Sequence, residues 1–537
     1  MAAADLPIPI RSTAERRDGS EQIIARQAAK ELVFGIVGHA GSGASVMART
    51  LKEILEANDL KGGPYETELL KARDVIATWV AATNRELPVT DSRSIKYVTQ
   101  MQDLGDEMRK GDGRGEPDHA AVARGLVLEI KRTRARKRGI IARDDEPVAP
   151  DQTRRAYILD SLRHSSEVQL LRQIYGDAFV LIGVVCEEQK RLARIEKLYR
   201  DAGEETARDF MERDSNAEEA YGQHVSDTFH LADFFVDNTT DRSFTGSSAD
   251  WDIGDELGRL VDIITHADIV RPTAAETAMY HAWAAQMQSA CLSKQVGAAL
   301  VDGRGNVVAT GKNEVPKAGG GVYGESFCGD QFDARCGTRP DGETYCRNTH
   351  EQNDIIQELI NRVPELSATT KERKAKLAIQ LRKLRIGSLL EFSRAIHAEM
   401  DAILSAARKG VSPVAARLFV TAFPCHYCAR HIVTAGLDEV QYIEPYPKSK
   451  ALGLHSDAIQ IEKTGWKAPS EGGQKVLFRP FAGVAPRAYR RAFLKDRELK
   501  NRETGDKEIA DPSWSGPWHL SKISYTDLEA ELAKTKL

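Results

Sequence analysis

The chain has 537 residues, of which 41% are hydrophobic and 29% are charged, and its formal net charge is −4. This length fits two or three globular domains, and the near-neutral charge excludes a general attraction to nucleic acid, so any basic surface must be local. No apolar stretch approaches the length of a membrane span, the first residues carry no signal-peptide core, and the seven cysteines are an odd number. We therefore expect a soluble, cytoplasmic protein without a disulfide framework or a membrane partner.

The first strong pattern is a strand followed by a glycine-rich loop and a helix. Residues 31–37 are an apolar strand, residues 38–45 read Gly-His-Ala-Gly-Ser-Gly-Ala-Ser, and a helical pattern follows. This order is the context of a P-loop, whose backbone amides hold phosphates at a helix N-terminus. We expect the phosphates of a nucleotide to bind at Gly38, Gly41, Gly43, Ala44 and Ser45.

The loop departs from the P-loop pattern at Ala44, which stands where a lysine normally reaches the β- and γ-phosphates. Ser45 remains available for Mg²⁺ or a phosphate oxygen. Without the lysine we expect a nucleotide to bind, together with Mg²⁺, but we do not expect fast phosphoryl transfer. An ordinary glycine turn is the simpler alternative, and the flanking strand and helix favour the phosphate site.

The rest of the N-terminal region alternates between predicted strands and helices. Apolar strands are predicted at residues 156–160 and 178–186, and the first of them ends in Asp160, an acid in the position that holds Mg²⁺ in many P-loop proteins. Residues 188–213 form a charged helical stretch where nucleotide kinases carry a lid. The basic run at residues 131–138 is either a nucleic-acid arm or a solvated helix end, and we favour the helix end.

Downstream, residues 296–301 and 306–311 predict a β-hairpin. The glycine-rich stretch that follows contains Cys328, Cys336, Cys346 and His350. Three cysteines and a histidine can form a structural zinc site that ties down such a loop. Their spacings are wider than those of compact zinc fingers, so ordinary reduced cysteines remain an equal alternative.

Two short motifs near residue 400 carry the most chemical information. His397-Ala-Glu399 begins one predicted helix, and Pro424-Cys-His-Tyr-Cys428 begins another, with a buried strand between them. His397, Cys425 and Cys428 are the ligand set of a catalytic zinc with one position open for water, whose pKa falls to about 7 on the metal. Glu399 is placed to move protons. Core cysteines and a helix-start histidine are the alternative, which the joint occurrence of both motifs disfavours; in this order the motifs form the signature of zinc-dependent nucleobase deaminases.

Around these motifs the chain resembles the deoxycytidylate deaminase branch of the cytidine deaminase superfamily. The resemblance runs from about residue 273 to residue 451 and includes Gly311-Lys-Asn-Glu-Val-Pro, both zinc motifs and Tyr446-Pro-Lys-Ser. It implies that Asn313, Tyr446 and Lys448 contact the substrate, although a turn asparagine and solvated side chains explain the same residues. It also implies a second, structural zinc near the cysteine cluster and a homo-oligomer.

The fused arrangement resembles the anti-phage dCTP deaminases of bacteria, and the N-terminal region resembles a degenerate nucleotide kinase. This resemblance implies zinc-dependent conversion of deoxycytidine nucleotides, dCTP or dCMP, to deoxyuridine nucleotides and ammonia, which depletes dCTP as a defence against phage. It further implies that a regulatory nucleotide or a small inhibitory RNA controls the deaminase.

Three alternatives remain open at this point. The first is a housekeeping dCMP deaminase that supplies thymidylate synthesis, which the fused P-loop disfavours. The second is an RNA or single-stranded DNA base deaminase that uses the basic run, and it requires an open groove for a flipped base. The third is a nucleotide-gated switch with a purely structural zinc, which Glu399 disfavours because a closed structural site needs no proton shuttle.

The expected fold class is α/β, with a P-loop kinase-like three-layer α/β domain followed by a cytidine-deaminase-like α/β/α domain. The predicted divisions are an N-terminal tail (1–29), the P-loop domain (30–245), a linker (246–270), the deaminase-like domain (271–466) and a C-terminal extension packing on it (467–537).

Overall fold

The computed structural model describes residues 29–58, 60, 62–89, 91–111, 116–217, 219–239, 253–266, 268–292, 294–324, 337–338, 340, 342, 344–389, 393–446, 449–463, 465–495, 500–506, 526 and 529. The predicted N-terminal tail except Ala29, together with Cys328, Cys336 and Lys448, lies outside these residues. Within them the structure is α/β and contains two main sheets, each dominated by parallel strands. No helix in the described part is both long enough and apolar enough to cross a bilayer.

Five parallel strands form most of the first sheet. In chain order they are β1 (Glu31–Val37), β2 (Glu66–Lys71), β3 (Arg155–Asp160), β4 (Phe179–Val185) and β5 (Phe234–Asp237). Their spatial order is β5-β4-β1-β3-β2. β1, β3 and β4 are buried along their whole length, which is the pattern of a parallel sheet covered by helices on both faces.

Helices connect these strands. They are α1 (Ala44–Leu55), α2 (Ala72–Ala82), α3 (Ile95–Lys110), α4 (Ala121–Lys137), α5 (Ser165–Tyr175), α6 (Glu188–Leu198), α7 (Glu204–Ser215) and α8 (Val225–Phe229). β1 runs through the glycine loop directly into α1, whose apolar side is buried at helical spacing. The loop therefore lies at the carboxyl edge of the strands, where open α/β sheets bind their ligands.

The second sheet mixes parallel and antiparallel strands. The strands of this half are β6 (Gly297–Val301), β7 (Val307–Lys312), the short pair β8 (Gly337–Thr338) and β9 (Thr344–Tyr345), β10 (Arg417–Ala422), β11 (Glu439–Glu444), β12 (Ile459–Gln460) and β13 (Val476–Pro480). The main sheet has the order β12-β13-β11-β10-β6-β7, and β8 pairs only with β9. The predicted hairpin is confirmed, since β6 and β7 are antiparallel neighbours.

The helices of the second half are α9 (Ile253–Ile264), α10 (Ala274–Gln286), α11 (Arg347–Arg362), α12 (Pro364–Ser367), α13 (Lys371–Lys383), α14 (Ala398–Arg408), α15 (His426–Thr434), α16 (Ala451–Leu454) and α17 (Pro486–Phe493). α14 lies directly on β7, because a Cβ on Gly311 would come within 2.9 Å of the Ala402 Cα. This close approach fixes the start of α14 against the sheet, and the first zinc motif begins there.

The C-terminal extension contacts both halves of the molecule. β13 pairs with β11 in the second sheet, whereas β14 (Gly483–Val484) pairs antiparallel with β5 of the first sheet. The buried Glu276 carboxylate reinforces this junction, since it pairs with Arg259 at 2.7 Å and accepts a hydrogen bond from the Val484 amide at 2.8 Å. The extension therefore pairs with the second sheet, in the deaminase-like region where the sequence placed it, and in addition with the first sheet.

The basic run at residues 131–138 is in part the solvated helix end expected from the sequence, since Arg132, Arg136 and Lys137 are exposed, but other side chains of the run are buried. It forms the end of α4, and the Arg134 side chain is fully buried. Arg134 pairs with Glu31 at 2.8 Å and with the buried Glu529 at 2.7 Å. A charge buried between two carboxylates stabilises the fold and is not available to bind a polyanion.

Replacing Arg134 with methionine should lower the free energy of unfolding by about 3–5 kcal/mol, because it removes the cation that lies between two buried carboxylates. Arg132→Met is the matched control on the same helix, since the Arg132 side chain is 45% exposed and pairs with Asp144 at 2.6 Å. It should cost less than about 1 kcal/mol. Urea unfolding measures both values, and an equal loss in the two variants would contradict the buried placement of Arg134.

Candidate active site

Three side chains capable of binding a metal meet at the starts of two helices. His397 is the N-cap of α14, Cys425 is the N-cap of α15, and Cys428 lies in the first turn of α15. The Nδ1 atom of His397 lies 3.3 Å from the Sγ atom of each cysteine. Cys425 and Cys428 follow His397 in the chain by 28 and 31 residues. β10, which runs between the two helices, brings these residues together.

The spacing of these atoms fits a tetrahedral zinc ion. The three ligand atoms lie within 4.8 Å of one another. Bonds of about 2.0–2.3 Å to zinc place tetrahedral ligand atoms roughly 3.3–3.8 Å apart. Across the described residues no second group of three His, Cys, Asp or Glu side chains has a comparable spacing. One imidazole and two sulfurs also leave a fourth position, as catalytic zinc sites do.

The ionisation of the three side chains suits metal binding. A hydrogen bond from Cys428 and the neighbouring His397 imidazole lower the pKa of the Cys425 thiol to about 4. Burial disfavours a charged His397, but its hydrogen bond to Cys425 and the nearby Glu399 raise the His397 pKa to about 9. Burial raises the pKa of Cys428. These shifts favour a thiolate at Cys425, and a divalent cation can bind by displacing the remaining protons.

Glu399 lies in the first turn of α14, two residues after His397, and its side chain is 4% exposed. Burial raises the pKa of its carboxyl group. It lines the same cavity as His397 and Cys425. A buried carboxyl with a raised pKa is suited to accept a proton and then donate it near neutral pH.

The cavity beside these residues has a volume of about 290 Å³ and is lined mainly by apolar atoms. Asn313 and Tyr446, for which the family resemblance implies substrate contacts, both line it, whereas Lys448 lies outside the described residues. The Asn313 side chain accepts a hydrogen bond from the Val296 amide at 2.7 Å and donates one to the Lys294 carbonyl at 2.6 Å. Its amide thus shapes the cavity wall and retains one further donor and one further acceptor position.

The start of α11 also lines this cavity, which the sequence analysis did not anticipate. Cys346, Arg347 and Asn348 contribute to the wall, and the Asn348 Oδ1 atom is buried without a hydrogen-bond partner in the described part of the chain. Lys294 and Arg394 add two further cations. The spacing of apolar residues in the sequence does not show which cavity an inserted segment packs against. Of these three residues, the sequence analysis therefore named only Cys346, as a candidate zinc ligand.

The predicted second zinc site stays a prediction, because two of its four ligands lie outside the described residues. Cys346 faces the cavity just described. His350 is exposed, and its Nδ1 atom lies 2.9 Å from the Asp354 carboxylate.

A second cavity, of roughly 820 Å³, lies at the glycine loop of the first sheet. Five of the predicted phosphate-site residues line it: Gly41, Gly43, Ala44, Ser45 and Asp160. Gly38 is not among the lining residues, because it is buried at the end of β1 against Val184. Gly41 and Gly43 have φ angles of 80° and 89°, which favour glycine and turn the loop into α1.

A distant acid also holds this loop. Asp214 is buried at the end of α7, and its carboxylate accepts a hydrogen bond from the Ala40 amide at 2.7 Å. The same carboxylate pairs with Arg163 at 2.7 Å. Asp214 lies 174 residues from Ala40, so no local pattern in the sequence identifies this contact.

Comparison with known proteins identifies a family to which the second half of the chain is similar. A family model described as the cytidine and deoxycytidylate deaminase zinc-binding region matches residues 272–444. The chain is 31% identical over 203 residues to the deoxycytidylate deaminase of Enterobacteria phage T2, which covers 37% of this chain and 97% of that protein. It is 31% identical over 176 residues to the deoxycytidylate deaminase of Enterobacteria phage T4, and the aligned region covers 33% of this chain and 80% of that protein.

Among solved structures, the chain is similar to the dCMP deaminase of the cyanophage S-TIM5 in complex with dCMP and dUMP. The sequence identity is 19%, the coverage is 40% of this chain and 99% of that chain, and the TM-score is 0.22. The matched family region contains His397, Glu399, Cys425 and Cys428. Because nearly the whole phage T2 enzyme aligns at this identity, the chain belongs to the cytidine and deoxycytidylate deaminase family.

Proposed function

We propose that this protein is a zinc-dependent enzyme that hydrolyses the amino group of deoxycytidine nucleotides, giving the deoxyuridine nucleotide and ammonia. The observation that carries the proposal is the position of the Glu399 carboxyl group in the same cavity as His397 and Cys425. A structural zinc site has no use for a buried carboxyl group beside its ligands, whereas a hydrolytic site requires one. The names of the phage relatives support deoxycytidine nucleotides as the substrate class.

His397, Cys425 and Cys428 are the residues that would hold zinc, and zinc would supply a Lewis acid that lowers the pKa of water. Glu399 is placed to take one proton from the attacking water and to deliver it to N3 of the cytosine ring. It can then pass a proton to the amino group on C4, which leaves as ammonia. The low exposure of Glu399 keeps bulk water away during these transfers.

We further propose that dCTP is a substrate and that its depletion serves as a defence against phage. Lys294, Arg347 and Arg394 line the cavity and supply positive charge for a substrate phosphate chain. The fusion to a P-loop unit supports this assignment over a housekeeping enzyme. A dCMP deaminase is the second candidate, which the name and 97% coverage of the phage T2 relative favour.

A base deaminase acting on RNA or single-stranded DNA is the less favoured alternative. The basic run proposed as its nucleic-acid arm contains the buried Arg134, which pairs with two carboxylates.

We also propose that the P-loop unit regulates the deaminase, and helix α6 supports this role because it contacts both units. A Cβ on Gly41 would come within 2.5 Å of the Arg191 carbonyl oxygen, so the backbone of α6 lies on the glycine loop. At the start of the same helix, the Glu187 carboxylate accepts a hydrogen bond from the Lys463 amide of the second unit at 3.0 Å.

A second path leads from α6 toward the deaminase cavity. The Arg191 guanidinium donates to the Ala40 carbonyl at 3.5 Å. Burial raises the pKa of Tyr442 on β11, and the nearby Arg191 charge opposes that rise. The Tyr442 ring packs edge-on against Phe423 with a centroid distance of 4.8 Å, and Phe423 lines the deaminase cavity. We propose that a ligand that moves the glycine loop acts on the active site through α6 and β11. The family resemblance alone supports two further proposals, a homo-oligomer and inhibition by a small RNA.

The test is a chromatographic assay of purified protein with dCTP, dCMP, CTP and a cytosine-containing oligonucleotide in parallel. We expect uracil products from dCTP or dCMP and none from the oligonucleotide. Conversion of the oligonucleotide alone would overturn the substrate class. Adding ATP to the same reactions reports regulation, since ATP has no cytosine and a rise in the rate of deamination then comes from another site.

A further inference from the structure

The cavity at the glycine loop has a strong excess of positive charge. Of the described residues that line it, two are aspartates, Asp160 and Asp214, and seven are basic: Arg49, Lys71, Arg73, Arg109, Arg163, Arg194 and Lys197. A cleft lined by one sign of charge attracts ligands of the opposite sign. Its volume, roughly 820 Å³, is in the range of sites that enclose a whole nucleotide.

Two polar side chains in this cavity lack partners within the protein. Ser42 is 1% exposed, and its Oγ atom has no hydrogen-bond partner among the described residues. Lys71 is half-buried at the carboxyl end of β2, and its ammonium group makes no hydrogen bond or ion pair in the part of the chain that the structure describes. A buried hydroxyl without a partner is costly unless a ligand satisfies it, and an ammonium group without a counterion in the described residues leaves its charge available to an anionic ligand.

Lys71 also has a suitable position relative to the loop and to Asp160. It pairs in register with Asp160 on the neighbouring strand β3, and Asp160 pairs in register with Ile36 on β1, just before the loop. The Asp160 carboxylate is 8% exposed, and no ion pair to it is found within the described ranges. A lysine and an acid at adjacent strand ends thus face the same cavity as the start of α1.

We infer that the glycine-loop cavity binds the Mg²⁺ complex of a nucleoside triphosphate and that Lys71, from β2, contacts the phosphates in place of the lysine that Ala44 replaces. The loop amides and Ser42 hold the phosphate chain, and Asp160 faces the metal ion. This inference extends the proposed regulatory role of the P-loop unit. It depends on that proposed role in one respect, the identification of the ligand as a nucleotide.

Arg194 completes the arrangement from the opposite side. Its guanidinium donates to the Asn238 carbonyl at 2.8 Å and lies 3.9 Å from where a Cβ on Gly43 would be. Arg194 belongs to α6, the helix that also contacts the deaminase unit. Phosphates that bind beside Arg194 would therefore contact α6, the helix whose Arg191 charge acts on Tyr442 of β11.

The experiment uses the full-length, zinc-loaded Glu399→Gln protein, so that turnover does not interfere. Titration calorimetry measures the affinity for Mg²⁺ with a non-hydrolysable adenosine triphosphate analogue, which carries no cytosine. The Lys71 variants distinguish binding at the glycine loop from binding to the cations of the deaminase cavity. Inorganic tripolyphosphate and adenosine are the matched probes for the phosphate chain and the base. We expect the analogue and tripolyphosphate to bind and adenosine to bind far more weakly.

Adding Lys71→Gln should weaken binding of the analogue about tenfold to a hundredfold, the range for a lost hydrogen bond to a charged group. Lys71→Arg should restore affinity to within a few-fold and remains informative if the glutamine variant is unstable. Lys96→Gln, on α3 outside the cavity lining, is the control and should not change affinity. Unchanged binding in Lys71→Gln, or no triphosphate binding at millimolar concentration, overturns the inference. Because binding is the readout, a wild-type protein that fails to deaminate deoxycytidine nucleotides leaves this result standing.

Discussion

Glu399→Gln should retain its zinc and its fold while kcat for the deoxycytidine nucleotide falls at least about a hundredfold, the lower end of what positioned general acid–base catalysis contributes. Glutamine fills the same space on α14 but cannot accept the proton of the attacking water. Steady-state rates and metal analysis of the purified variant measure the two quantities separately.

Asp401→Asn is the matched control for this substitution. Asp401 lies two residues beyond Glu399 on the same helix, is 6% exposed and accepts a hydrogen bond from the Lys312 amide at 3.2 Å, but it does not line the cavity. It should lower stability and leave kcat within a few-fold of wild type. Activity above about one per cent in Glu399→Gln would contradict the assignment of Glu399 as the proton shuttle.

Cys428→Ser should remove one zinc ion per chain relative to wild type and abolish turnover. Cys428 is 1% exposed and contributes one of three protein ligands, so its loss leaves only His397 and Cys425 at the metal. The thermal midpoint should also fall, because a metal that binds only the folded protein stabilises it. Metal analysis after dialysis gives the stoichiometry, and calorimetric unfolding gives the midpoint.

Cys186→Ser is the control, because Cys186 lies half-buried at the end of β4, away from the zinc ligands. It should keep the wild-type zinc content and activity. The expected loss of one zinc ion per chain is measured relative to the wild-type protein. The expectation is therefore the same whether or not the inserted cysteine cluster binds a second zinc. An unchanged zinc content in Cys428→Ser would show that the metal site lies elsewhere.

The positions of both cavities were predictable because the motifs that line them are local. His397 and Glu399 occupy one helix start, Cys425 and Cys428 occupy another, and the glycine loop connects one strand to one helix. In each case the required geometry arises within a few residues, from cap positions and helical spacing. Sequence reasoning is reliable at this range.

The remaining features depend on contacts between distant segments. Arg134 is buried because Glu529, 395 residues away, reaches it, and the basic run alone carries no sign of that partner. Asp214 holds the glycine loop from 174 residues away. β14 joins the first sheet although the strands before it belong to the second. Periodicity and composition describe single elements, and these contacts depend on how the elements pack.

The most direct test of the account is hydrolysis of dCMP and dCTP by the wild-type protein in water enriched in ¹⁸O. The account predicts a uracil nucleotide that carries one ¹⁸O atom on C4 and one ammonia released for each product, with neither formed by Glu399→Gln. Product without the label, or no product from either nucleotide by zinc-loaded protein with and without ATP, would contradict the proposed hydrolytic deamination.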